Sequence, residues 1–132
     1  MKSDVSSLES STTKLTKENE KLKLELELEL ELELEPIKIG NLEVRREDFG
    51  LMTWDVAMKV CADIGGGWRL PTKDEFYVLY KNRHKIGGFD GYNYWSSTED
   101  GKYDTWTQSF YNGGQYSYIK SYSNSVRAVR DF

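Results

Sequence analysis

Between Asp90 and Ser125 stand seven of the nine tyrosines and seven serines, interleaved with asparagine and glycine. Tyrosine offers a large amphipathic contact at small entropic cost, and Ser, Asn and Gly offer adaptable hydrogen bonds, so this composition is that of a recognition surface. The residues expected to form it are Thr107, Ser109, Tyr111, Asn112, Tyr116, Ser117, Tyr118, Tyr122, Ser123 and Asn124. Ordinary exposed strands would also favour Tyr and Thr. Against that reading, Tyr116-Ser117-Tyr118 and Ser121 to Ser125 lack the alternating apolar residues of strands that need burial.

Groups suited to catalysis are scarce. Cys61 is the single cysteine, which excludes an internal disulfide and a metal-thiolate cluster within one chain. It falls in an apolar series, Trp54, Ala57, Cys61 and Ile64, whose helical spacing predicts a buried, neutral thiol. His84, the only histidine, sits with Lys81, Arg83 and Lys85 near an expected helix end, where cations complement the dipole. It has no second histidine for a metal. Asp90, Glu99, Asp100 and Asp104 read as solvated turn acids rather than cation ligands. No catalytic residue, metal or cofactor is expected, and the protein is not expected to be an enzyme.

The elements that position these groups divide at Pro36. All aromatic residues and all 11 glycines follow it, while residues 1 to 35 carry five lysines against ten acids. The remaining 97 residues are nearly neutral, which gives no electrostatic reason to expect nucleic acid. No 18-residue apolar run occurs, so no membrane insertion is expected. Met1 to Val5 lead into polar sequence without the apolar core of a secretion signal, and a cytoplasmic product that joins a virion or particle surface is the expectation.

Val5, Leu8, Thr12, Leu15, Asn19, Leu22 and Leu26 alternate spacings of three and four, an a/d heptad with Asn19 at an a position that fixes register. From Leu22 to Glu35 every second residue is leucine, with Lys23 and then glutamates between them. This period of two suits a strand, yet Leu and Glu are both good helix formers and poor strand formers. A continuing helix is favoured, with stripes Leu22, Leu26, Leu30 and Leu24, Leu28, Leu32 that would bury against two neighbours. Residues 1–35 are thus expected to form a coiled-coil stalk and a homo-oligomer, a trimer being favoured.

After Pro36, Lys38 to Arg46 reads as strand with a turn at Gly40-Asn41, and Thr53 caps a helix that ends at Gly65-Gly66-Gly67. Thr72-Lys73-Asp74-Glu75 has the spacing of a capping box opening a second helix. Strands are expected over Tyr94–Ser97, Thr105–Tyr111, Gln115–Lys120 and Val126–Arg130. Parity along the second of these predicts Trp106, Gln108 and Phe110 on a core face and an exposed hydroxyl row of Thr107, Ser109 and Tyr111.

Three motifs then carry a resemblance: Gly67-Trp68-Arg69-Leu70-Pro71-Thr72, Tyr94-Trp95-Ser96-Ser97-Thr98-Glu99, and Val126-Arg127-Ala128-Val129-Arg130. In that order, over residues 37 to 132, they resemble the Lcl C-terminal domain family, akin to the sulfatase-modifying-factor branch of the C-type lectin fold. The resemblance implies an α+β, C-type-lectin-like domain in which first and last strands pair, two helices flank the sheet and loops display the binding surface. Formylglycine-generating enzymes of the wider group hold copper with two cysteines, and this chain has one. The Glu-Pro-Asn, Gln-Pro-Asp and Trp-Asn-Asp signatures of calcium-dependent lectins are absent.

Thr107 to Ser125 is also similar to the variable regions of proteins diversified by retroelements that mutate template adenines. Gln108, Phe110, Gly113, Gln115 and Lys120 read as a fixed frame, and the residue types between them, Gly114 and Ile119 included, are reachable from an Asn codon by changing adenines. The leading expectation is a receptor- or ligand-binding module on an oligomeric stalk, such as a phage fibre or surface adhesin tip, whose target is a cell-surface protein or carbohydrate. The alternatives are a fixed structural or decoration protein of a larger particle and, third, a sulfatase-modifying-type enzyme.

Overall fold

The computed structural model describes residues 2–132, with side chains from residue 12 onward apart from 32–34. The chain falls into two units, one ending at Glu35 and one spanning Pro36–Phe132.

The first unit is a single helix, α1 (Lys2–Leu34). Helix propensity therefore prevails over the two-residue pattern, since a lone Leu/Glu strand has no sheet edge to pair with while a helix satisfies its own backbone. Glu35 precedes Pro36 and leaves the helix, as the steric demand of the proline ring requires. Leu15, Leu22, Leu24, Leu26, Leu28 and Leu30 are all more than half exposed on this one helix. The heptad side chains of Val5 and Leu8, and Leu32 of the second stripe, lie outside the described residues.

The second unit is mixed α+β. β1 (Ile37–Ile39) and β2 (Leu42–Val44) form a hairpin about Gly40, whose φ of 57° suits a residue without Cβ. β3 (Leu51–Met52) precedes α2 (Trp54–Asp63), followed by α3 (Lys73–Lys81) and α4 (Arg83–Ile86). Then come β4 (Asn93–Glu99), β5 (Asp104–Ser109), β6 (Gln115–Ile119), β7 (Asn124–Ser125) and β8 (Val129–Asp131). One sheet has the order β1-β2-β8 and the other β3-β7-β4-β5-β6. The last strand pairs with β2, the second arm of the Lys38–Arg46 stretch. Its ladder begins at Val129, because Val126 to Ala128 bond instead to the loop after β2 through Arg45 and Phe49.

Alternation along β4 divides the interior in two. Tyr94 packs with Val44, Phe76, Leu79 and Phe110, whereas the adjacent Trp95 packs with Trp54, Ala57, Cys61 and Leu70. Each indole is anchored: Trp95 Nε1 donates to Met52 O at 2.8 Å and Trp54 Nε1 to Ser96 O at 2.9 Å. The apolar stripe of α2 stops at Cys61, and Ile64 at the helix end is exposed, contrary to the spacing. Thr53 stands at the N-cap position without a side-chain cap bond. The box at Thr72 forms in full, Glu75 N donating to Thr72 Oγ1 and Thr72 N to Glu75 Oε1.

The hydroxyl row of β5 is a second correction. Of that row Thr107 and Ser109 are buried and Tyr111 is exposed, while on the opposite face Gln108 and Phe110 are buried and Trp106 is only half-buried. β5 lies between β4 and β6, and register sets Thr107 between the rings of Trp95 and Tyr116. Its hydroxyl is satisfied within the sheet by donating to Tyr116 O at 2.9 Å.

Candidate functional site

Where β6, the β5–β6 turn, the segment before β4 and the edge strand β3 meet, they enclose a groove of about 670 Å³. Seven of the ten expected surface residues line it: Ser109, Tyr111, Asn112, Tyr116, Tyr118, Ser123 and Asn124. Thr107 is buried beneath β6, Ser117 points away from Tyr116 and Tyr118 by strand alternation, and Tyr122 stands beside the groove with its ring 6.0 Å from that of Tyr118. The fold adds Leu51, Gly91, Tyr92 and Asn93. Of these, Tyr92 belongs to the tyrosine-rich run, whereas Leu51 comes from a two-residue strand far away in sequence and nothing local marks it.

The turn carrying Tyr111 and Asn112 is held by short polar side chains. Ser109 Oγ accepts from Tyr111 N at 3.2 Å and Asn112 N at 3.3 Å, and Asn112 Oδ1 accepts from Gly114 N at 2.8 Å. Gly113 has φ 77°, and a Cβ there would fall 2.5 Å from the Tyr80 ring. A Cβ on Gly114 would meet the Tyr116 phenol at 2.5 Å, so a side chain there requires that exposed ring to move. Two amides orient two phenols: Asn112 Nδ2 donates to Tyr116 Oη and Asn93 Nδ2 to Tyr118 Oη, each at 2.9 Å.

Below the groove the frame is tied into the core. Gln115 Nε2 donates to Lys73 O at 2.7 Å and to Gln108 Oε1 at 3.1 Å, and Phe110 stacks on Phe89 with centroids 4.0 Å apart. Lys120 Nζ bonds Glu99 at 3.1 Å and Lys102 O at 3.0 Å while lying 4.5 Å above Trp54. Asp90 accepts from Tyr92 N and Ser125 Oγ. Tyr94 Oη donates to Asp48, and burial, reinforced by that carboxylate, holds the phenol well above the usual tyrosine range. Asp48 also receives Arg127 Nε at 2.6 Å, and the Arg127 guanidinium, fully buried, lies 4.2 Å over Phe89.

Asn124, on β7, is 8% exposed and its Nδ2 has no hydrogen-bond partner among the described residues. No Lys, Arg, His, Asp or Glu lines the groove. Glu99 is engaged by Lys120 and Asp90 by Tyr92 and Ser125, and no three His, Cys, Asp or Glu among the described residues come together as a metal set. The Cys61 thiol is fully buried, and burial pushes it up to about 11. No described helix is long and apolar enough to cross a membrane.

Fold and groove together define a small α+β domain with an uncharged, tyrosine-walled cleft on its five-stranded sheet. Residues 31–130 match the model of the Lcl C-terminal domain, and the chain belongs to that family. No curated protein matches it.

Proposed function

We propose that residues 36–132 are a target-binding head of C-type-lectin-like fold, carried on a coiled-coil stem formed by α1 from several copies of the chain, three being favoured. The head acts by capture without turnover, at the surface of a virion or other particle, and its target is a cell-surface protein or carbohydrate. The observation that carries this reading is the convergence of Tyr111, Asn112, Tyr116 and Tyr118 with Tyr92 and Asn93 on one groove whose described lining holds no Lys, Arg, His, Asp or Glu. Such a cleft, aromatic with a few placed polar groups, is a recognition site by construction. Exposed leucines along α1 favour a stem of several helices, whose joined heads gain avidity.

The split between frame and surface favours diversification. Gln108 and Phe110 are buried, and Gly113 has no room for a side chain, whereas Tyr111, Tyr116, Ile119 and Tyr122 are exposed; Thr107, Ser109 and Asn124 depart from this split, being buried. Sequencing this gene across a population of its source tests that part. Substitutions confined to adenine-derived positions between Thr107 and Ser125, with Phe110 and Lys120 constant, are expected; uniform codons would indicate a fixed structural or decoration module. Capture is tested with fluorescently labelled full-length chain scored by flow cytometry over a panel of bacterial and eukaryotic cells. Staining of at least one cell type is expected, reduced tenfold or more by Tyr111→Ala with Tyr116→Ala; equal staining by that variant would remove the groove from the reading.

A further inference from the structure

The geometry points to a protein partner: the groove receives a protruding loop with an uncharged tip, whose carbonyl oxygens are held by Asn124, Tyr116 and Tyr118. This rests on the reading of residues 36–132 as a binding head and names the class of its ligand.

Hydrogen-bond polarity is the first argument. Tyr116 Oη and Tyr118 Oη each accept an amide hydrogen, from Asn112 and Asn93, and neither phenol donates to any described group. Their O–H hydrogens are therefore the groups left to offer a ligand. The Nδ2 of Asn124 adds a donor with no acceptor of its own. Nearby acceptors are already engaged: Asn112 Oδ1 takes Gly114 N, and Ser109 Oγ takes two backbone N–H groups. The carbonyl oxygens of a loop's backbone are acceptors that these three donors fit.

Charge narrows the acceptor further. Without a cation in the lining, a carboxylate, sulfate or phosphate entering the groove would lose hydration uncompensated. The nearest acid, Asp90, adjoins Gly91 and bonds Tyr92 N, so its field opposes an anion. A neutral carbonyl meets neither penalty. Asn124 belongs to the groove lining, and its buried amide nitrogen has no partner among the described residues. Leaving a buried donor unmatched is costly, so a ligand oxygen at that point recovers stability as well as making a contact.

Size separates a folded partner from a small ligand. The groove volume is that of a pocket for one compact group. Tyr92 and Tyr111 rise from the lining to its rim 68% and 84% exposed, with Tyr122 beside them at 59%, so most of their surface stays open when only the lumen is filled. A protein surface with one projecting loop fills the centre and covers that rim, which is the distribution of an interface with a central anchor.

The test uses full-length chain, a phage-displayed library of disulfide-looped random peptides, and in parallel an array of neutral and sulfated glycans. Two variants report on the groove: Asn124→Leu removes the floor donor, and Gly91→Trp fills the lumen. Gly91 does not use a positive φ, and a Cβ there meets nothing within 4 Å, so a side chain attaches there without a backbone clash. Looped peptides are expected to be enriched and to bind each variant at least tenfold more weakly, with unchanged circular dichroism. Peptides that bind both variants as well as the parent overturn the inference while leaving the binding head standing. Glycans captured in place of peptides, and lost in Gly91→Trp, overturn it in favour of a lectin. Enrichment of nothing, together with no stained cell type, overturns both.

Discussion

Arg127 is the residue on which the interior most depends. Its guanidinium is fully buried, bonds Asp48 at 2.6 Å and Arg45 O at 2.8 Å, and covers Phe89. Replacing it by Met leaves the largely buried Asp48 carboxylate without its cation, and urea denaturation at pH 7 is expected to show a loss of about 3 kcal/mol, at the lower end for a broken buried pair. Cys61 gives a different kind of expectation. Its thiol titrates near 11 when folded against 9.0 when free. The folded state therefore keeps a proton that the unfolded chain releases first. The stability this contributes is complete below pH 9 and is lost as pH rises towards 11. Melting temperature is expected to fall across that window, and less steeply in Cys61→Ala. Both placements bear on what the chain discloses by itself. The spacing Trp54, Ala57, Cys61 is enough to put the thiol in the core, whereas the burial of Thr107 and Ser109 is hidden because backbone groups elsewhere satisfy their hydroxyls.

Among the elements, α3 is the one most fully written in local sequence. Thr72 and Glu75 cap it reciprocally, and Glu75 also takes Arg69 through two bonds of 2.7 and 2.9 Å, with Arg69 the main cause of its lowered pKa. Thr72→Ala is expected to cost about 1 kcal/mol by thermal or chemical melting. For Glu75→Gln the sign of the pH effect follows from the lowered carboxyl. The stability is present above the ordinary glutamate range and is lost as pH falls through the lower folded value, so parent and variant are expected to differ at pH 7 and converge in acid. Strand parity was a weaker guide. It assumes one covered face, and β5 has neighbours on both edges and cover on both sides. β3 and β7, two residues each, carry no periodicity from which they could have been read. Yet they supply Leu51 and Asn124 to the groove.

At the scale of the molecule, α1 presents a row of leucines that one helix cannot bury. Light scattering of the full chain is expected to return a multiple of 15.4 kDa, and removal of residues 1–35 a monomer; a monomeric full chain would sink the oligomeric stem. The composition of the binding surface was legible in sequence, but its shape was not, because Leu51, Gly91 and Asn93 reach it only through the pairing of distant segments. One feature of β4 bears on how residues 36–132 come apart. Tyr94 and Trp95, joined by a single peptide bond, are each completely enclosed in a different cluster. Neither cluster can open without pulling the strand that fills the other. Unfolding of this unit should therefore be a single cooperative event, with no half-open species for a protease to cut or for neighbouring chains to aggregate upon.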